Sequence, residues 1–150
     1  MSERTGFFID GAWVTPHGTD CLRLHDPATG EAVDELQLGD QHDVDRAVAA
    51  ARAAFPSYAQ TSIDERVALL DRVIEVYKKR FDDIGASISR QMGAPLEFAT
   101  RFQAGAGLSH FKQVRRILPD FAFEQTEGAT RIMREPIGVC AMIVPWNWPM

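Results

Sequence analysis

Ile137-Gly-Val-Cys-Ala-Met-Ile-Val144, followed at once by Pro145-Trp-Asn-Trp-Pro149, is the stretch that decides the fold class. An apolar run without charge or alternation reads as a strand covered on both faces, as in the parallel sheet of an α/β protein. Each parallel neighbour needs a crossover of a dozen or more residues. Nothing after Val144 supplies one, so the expectation is a buried strand whose sheet lies elsewhere, in a larger protein for which Met150 is not the natural end.

Upstream, the period is two at first. Phe7, Phe8 and Ile9 lead through Asp10-Gly11 to Trp13 and Val14, and Asp-Gly between apolar residues predicts a hairpin because both turn positions need positive φ. Leu22 and Leu24, then Asp26-Pro-Ala-Thr-Gly30, then Val33, Leu36 and Leu38 predict a second pair of strands around a turn. From Asp40 the spacing becomes three and four. Val44, Ala47, Val48, Ala51 and Phe55 form one helical stripe, with Pro56 expected to end it.

Ser62-Ile-Asp-Glu65 has capping-box spacing and opens a longer helix whose stripe runs Val67, Leu70, Ile74, Tyr77, Phe81, Ile84 and Ile88. Gly85 and the apolar residues off the stripe favour a core helix over a coiled coil. Gly93 is a stop and Pro95 a new start. The third helix, Pro95 to about Leu118, contains Gly105 and Gly107, each costing about 1 kcal/mol relative to alanine in a helix interior. Either something approaches closely there or the helix is irregular. Phe121-Ala-Phe123, Glu127-Gly128 and Thr130 to Arg134 then predict a polar-laced hairpin.

Composition narrows the partners. The 150 residues are 45% hydrophobic, enough for one ordinary core. A net charge of −5 leaves no broad basic surface, which argues against nucleic acid and anionic membranes. The amino-terminal segment has no apolar core of a signal peptide, and no run approaches the length of a membrane span. Two cysteines, Cys21 and Cys140, fit a reducing cytoplasmic setting better than a disulfide scaffold.

Several chemical signals weaken on inspection. Gly105-Ala-Gly107 lacks the third glycine of a dinucleotide fingerprint and sits in a helical pattern, so it reads as packing. Cys140 is mid-strand with no cation nearby to lower its pKa and is expected to be buried and inert. Cys21 and His25 share a strand face, yet two ligands do not make a zinc site, and no metal is predicted. Lys112, Arg115 and Arg116 read as a solvated basic face near a helix C-terminus.

Taken together, Phe8-Ile-Asp-Gly-Ala-Trp13, Asp26-Pro-Ala-Thr-Gly-Glu31, Asp43-Val-Asp-Arg-Ala-Val48 with Ala50-Ala-Arg-Ala-Ala-Phe55, Glu135-Pro-Ile-Gly-Val-Cys140 and Pro145-Trp-Asn-Trp-Pro149 resemble the NAD(P)-dependent aldehyde dehydrogenase superfamily over essentially the whole chain. The resemblance implies an α/β fold, the N-terminal part of that family's fold. It implies three segments: 1–118 in the cofactor-binding domain, 119–136 an oligomerisation hairpin, and 137–150 the first strand and following turn of a Rossmann-like sheet.

In function it implies oxidation of an aldehyde to a carboxylic acid, with NAD or NADP as hydride acceptor, through a cysteine nucleophile and a glutamate base that lie beyond this chain. Asn147 matches the asparagine whose amide donates to the oxyanion. Ile143, Val144, Pro145 and Trp146 match the nicotinamide side of the cofactor cleft, and Phe102, Ala106 and Trp148 would face the substrate channel and favour apolar or aromatic aldehydes. Without the resemblance, Asn147 reads as a turn residue between two aromatics.

Where many relatives carry Asp-Asn-Gly-Lys-Pro this chain has Gln91-Met-Gly-Ala-Pro95, so the structural cation of some members is not expected. In this family the 121–134 hairpin pairs with another subunit, which implies a homodimer or homotetramer; an ordinary surface hairpin is the competing reading. The competing functional class is a non-catalytic binding or structural protein on the same fold.

Overall fold

The computed structural model describes residues 6–150, which divide into two compact units. The first comprises the described residues through Ala59 together with Gly138–Ala141, and the second Gln60–Ile137 with Met142–Met150.

In the first unit β1 (Phe7–Ile9) pairs antiparallel with β2 (Ala12–Val14), Phe7 opposite Val14 and Ile9 opposite Ala12. Their turn has φ of 52° at Asp10 and 75° at Gly11, the left-handed pair that the Asp-Gly sequence predicts. Phe8 and Trp13 face each other across the ladder, ring centroids 5.4 Å apart and edge to face. β3 (Cys21–His25) and β4 (Ala32–Gln37) form the second ladder. In the turn between them the Asp26 carboxylate accepts from the backbone N–H groups of Ala28 and Thr29 at 2.7 and 3.1 Å.

Helix α1 spans Gln41–Ala59. Its start is fixed by Asp43, only 4% exposed, whose carboxylate accepts backbone N–H groups from His17, Gly18 and Asp40 at 2.9 to 3.2 Å. Contrary to expectation, Pro56 lies inside α1 rather than at its end. Proline there removes the bond to the Arg52 carbonyl, and Arg52 stands on an exposed face close to the helix end, so the loss is tolerated. The predicted stripe is largely uncovered: Val44 is 54% exposed.

The second unit begins with α2 (Ile63–Lys79). The Ser62 backbone donates to Glu65 Oε2 at 2.7 Å and the Glu65 backbone to Ser62 Oγ at 3.2 Å, completing the capping box read from the sequence. The single long helix expected from here is two. At Arg80, φ −107° and ψ 13°, the axis breaks and α3 (Phe81–Met92) starts. Lys78 and Lys79 close α2 while Asp82 and Asp83 open α3, each pair on the end its charge suits. Gly93, φ 70°, ends α3 in the left-handed conformation as predicted.

The segment expected as a third helix is a short α4 (Leu96–Phe98), a π-helical turn over Ala99–Ala104, and α5 (Gly105–Ile117), closed by a 3₁₀ turn over Leu118–Asp120. The expected irregularity is therefore present, and so is the close approach. An added Cβ on Gly107 would lie 2.5 Å from the Tyr77 hydroxyl, and one on Gly85 would strike Thr100, so α3 and the π turn touch at backbone distance. Ile88, Ala99 and Ala104 are buried at this crossing, with Phe81, Ile84 and Met92 packed around them.

Arg115, read as part of a solvated basic face, keeps a side chain 43% exposed and in addition makes a two-bond fork with Asp71 of α2 at 2.9 and 3.0 Å. The planar guanidinium matches the carboxylate geometrically, which the charge pattern of one helix could not reveal. β5 (Glu124–Glu127) and β6 (Thr130–Met133) form the predicted hairpin about Gly128.

From Ile137 to Val144 the described chain has no strand partner. Ile137 and Ile143 are 93% and 98% exposed. Cys140 is exposed, not buried, because the covering sheet that its burial requires is not formed within these residues.

Candidate functional site

The Pro145-Trp-Asn-Trp-Pro149 loop follows Val144 directly, and its two prolines restrict the backbone on either side of Asn147. Asn147 is exposed, and the chain engages its backbone: Gln103 Nε2 donates to the Asn147 carbonyl at 3.2 Å. Next to it, Trp148 is half-exposed and meets Phe98 edge to face at 6.3 Å, while Phe98 lies against Phe102 at 5.4 Å. Two of the three predicted channel residues, Phe102 and Trp148, thus share an aromatic partner. Ala106 sits half-buried one turn further on in α5.

Two residues of this arrangement escape the sequence reading. Phe98 stands four positions before Phe102, a spacing that signals neighbours on one helix face. Gln103 carries no such signal, being one polar residue in a helical pattern whose only marks of irregularity are Gly105 and Gly107. The π-helical turn places it inside, where it is 2% exposed.

The predicted cofactor-side residues are apolar and uncovered within these residues: Ile143, Val144 and Trp146 are 98%, 67% and 82% exposed. None of these four residues is ionisable, and Pro145 has no N–H. A chain of phosphates finds no glycine cradle at Gly105 and Gly107, which lie within helix α5.

The chemistry available to Asn147 is hydrogen-bond donation by a neutral amide, a fixed dipole that does not titrate. Nucleophilic alternatives are poorly placed. Local desolvation and then the Glu35 carboxylate push the Cys21 thiol up, away from the reactive thiolate. Cys140 Sγ leans on the Gly138 carbonyl at 3.8 Å. His25 Nδ1 is 3.1 Å from the Gly30 carbonyl, and no group of three His, Cys, Asp or Glu side chains among the described residues could hold a metal ion. No helix among them is long and apolar enough to cross a membrane.

The aldehyde dehydrogenase family model matches residues 13–150. The 3-succinoylsemialdehyde-pyridine dehydrogenase of a Pseudomonas species is 44% identical over 151 aligned residues, covering 100% of this chain and 32% of that protein. A mutant of Aldehyde Dehydrogenase C from Pseudomonas syringae, crystallised with NAD+ and octanal, superposes with a TM-score of 0.92 at 41% identity, covering 97% of this chain and 30% of that one. An aldehyde dehydrogenase from Bartonella henselae gives 0.76 at 35% identity, over 80% of this chain and 26% of that one. The chain spans about a third of the length of the relatives it matches.

Proposed function

Since this chain belongs to the aldehyde dehydrogenase family, we propose that the full-length protein carrying it oxidises an aldehyde to a carboxylic acid with NAD or NADP as hydride acceptor. The observation that carries the reading is the Pro145 to Pro149 loop, which lies within the matched residues and leaves Asn147 exposed beside an aromatic cluster.

In this reading Asn147 is the chain's contribution to the reaction. Attack on an aldehyde carbonyl turns its oxygen into an oxyanion, and a preoriented amide N–H binds that charge more tightly than it binds the neutral carbonyl. Ile143, Val144, Pro145 and Trp146 would hold the nicotinamide ring, excluding water from one face. A bound nicotinamide supplies the hydride acceptor, a chemistry no side chain possesses. Phe102, Ala106 and Trp148 would line the approach of the aldehyde. The nucleophile and base lie outside these residues, so the 150-residue chain alone is expected to be inactive.

Residues 1–118 then belong to the cofactor-binding domain, 119–136 to an oligomerisation hairpin and 137–150 to the first strand and turn of a Rossmann-like sheet. The protein is cytoplasmic and assembles as a homodimer or homotetramer. Two of the similar solved structures, those from Pseudomonas syringae and Mycobacterium tuberculosis, hold NAD+, and the first also holds octanal, which supports a nicotinamide cofactor and an apolar aldehyde.

Asn147→Ala and Asn147→Asp in the full-length protein test the reading. Losing one oxyanion donor lowers kcat by roughly 100- to 1000-fold, with little change in cofactor affinity. Asn147→Asp is at least as harmful, because a carboxylate faces developing negative charge. An active Asn147→Asp enzyme would return Asn147 to a turn residue, since aspartate serves turns well.

A further inference from the structure

Gln103 is the largest fully buried side chain among the described residues, and it is polar. Burying an amide costs free energy unless its groups are paired. Only half of this one is: Nε2 donates to the Asn147 carbonyl at 3.2 Å, while Oε1 is buried with no partner among the described residues. A leucine of similar size would fill the same space without that cost. What the amide adds over leucine is one bond to the backbone of Asn147, across 44 residues of chain.

The local fold is arranged around that bond. Six residues, Ala99 to Ala104, adopt the π-helical turn, a rare conformation that concentrates at functional positions. Ala99 and Ala104, at its two ends, are completely buried, and Tyr77 donates to the Ala104 carbonyl at 2.9 Å. The turn is thereby tied to α2 through the Ala104 carbonyl. From it Gln103 reaches the carbonyl of Asn147, and from just before it Phe98 meets the ring of Trp148. The loop is thus contacted at two successive residues, Asn147 by Gln103 of the π turn and Trp148 by Phe98 of α4, and the Gln103 bond engages the Asn147 backbone, not its side chain.

We propose that Gln103 is a positioning residue: its buried amide fixes the Asn147 peptide so that the Asn147 side chain points where an oxyanion forms. This rests on the assignment of Asn147 as oxyanion donor. Displacement of a catalytic group by about 1 Å costs up to roughly 100-fold in rate, so a single bond at its backbone is enough to matter.

The test uses the full-length protein and four variants: Asn147→Ala, Gln103→Leu, the double variant, and Gln103→Glu, with Gln103→Met replacing Gln103→Leu if that variant does not fold. Gln103→Leu should lower kcat roughly 10- to 100-fold, with KM for the cofactor unchanged and Tm unchanged or raised, because an unpaired buried acceptor has been removed. In the Asn147→Ala background it should lower kcat little further. Gln103→Glu sets an acceptor against an acceptor; its kcat should be lowest at high pH and recover as the pH falls and the carboxyl gains a proton to donate.

If Asn147→Ala alone keeps full kcat, the oxyanion assignment fails and the positioning role falls with it. If Asn147→Ala is impaired while Gln103→Leu keeps full kcat, only the positioning role is overturned. Independent, multiplying losses in the double variant, or a fall in Tm that tracks the loss of kcat, would likewise overturn it, by making Gln103 an ordinary core residue.

Discussion

The Tyr77 hydroxyl donates to the Ala104 carbonyl at 2.9 Å, joining α2 to the end of the π-helical turn, and Gly107 is what admits it. Tyr77 is 6% exposed, and burial pushes its phenol above the usual value, so it remains a protonated donor at any physiological pH.

Substituting the two nearby glycines separates helix propensity from packing. Nothing lies within 4 Å of an added Cβ on Gly105, whose φ of −61° is helical, whereas on Gly107 it meets the Tyr77 hydroxyl at 2.5 Å and Met150 Cβ at 3.0 Å. Gly105→Ala should therefore raise stability by about 0.5–1 kcal/mol. Gly107→Ala gains the same propensity but overpacks, at a cost of about 1–3 kcal/mol, and should be net destabilising. Denaturant unfolding of the full-length protein checks both signs. The loss at Gly107 should shrink in a Tyr77→Phe background, where the clashing oxygen is gone.

The start of α1 makes stability depend on pH. The hydrogen bond that protonated His17 donates to the Asp40 carboxylate, at 2.6 Å, raises the His17 pKa above its ordinary value, and the same bond holds the Asp40 carboxyl below its own. A raised histidine contributes stability that is complete below about pH 6.5 and is lost as the pH rises through its folded pKa. A lowered carboxyl contributes stability above about pH 4 that is lost on acidification. At Asp43 burial works to raise the pKa, but the backbone donors from His17, Asp40 and Gly18 outweigh it and the value falls, adding to the acid-side loss. The difference in unfolding midpoint between the native protein and His17→Gln should be largest between about pH 5 and 6 and decline toward pH 8. A difference that grew with pH would contradict the pairing.

Much of this was legible in the sequence wherever one residue decides a local geometry. Asp10-Gly11 specified left-handed φ at both positions, Ser62 with Glu65 specified a helix start, and Gly93 a helix stop. The break at Arg80 was hidden because the apolar stripe from Val67 to Ile88 continues across it; the reversal from Lys78-Lys79 to Asp82-Asp83 is the signal that marks it. The π register was hidden for a different reason. It adds no distinctive residue type, only a shift in phase, and its consequence is that Gln103 turns inward. Asn147 is singled out by a motif, but the contact at its backbone carbonyl is tertiary, 44 residues away, and no local pattern encodes it.

The β5–β6 hairpin offers a direct test of assembly. Phe121 is 44% exposed although it lies edge to face against Phe123 at 4.8 Å with the Arg134 guanidinium 5.9 Å over its ring, and Met133 is 52% exposed. Polar-laced strands with exposed apolar side chains suit pairing with another strand edge. Phe121→Lys or Met133→Lys should shift the full-length protein to a smaller mass in light scattering while leaving kcat within about threefold, since the hairpin carries none of the residues proposed for the reaction. An unchanged mass would make this an ordinary surface hairpin.

Trp148 should govern which aldehydes are accepted. Its ring meets Phe98 at 6.3 Å, Phe98 meets Phe102 at 5.4 Å, and all three remain between 41% and 57% exposed, so they present a partly open aromatic surface beside Asn147. An aromatic aldehyde lying on such a surface gains roughly 0.5–1.5 kcal/mol per ring pair beyond simple burial, whereas a two-carbon aldehyde cannot reach it. This interaction is equal in ground and transition states and so belongs in KM rather than kcat. Trp148→Ala should therefore lower the ratio of kcat/KM for benzaldehyde to that for acetaldehyde about tenfold, chiefly through KM for benzaldehyde, and Trp148→Phe should retain most of the preference. Phe98→Ala should give a smaller change in the same direction, because it removes the ring against which Trp148 rests. If Trp148 serves only to hold the loop, Trp148→Ala will instead lower kcat for both aldehydes alike, through Asn147, and the ratio will not move.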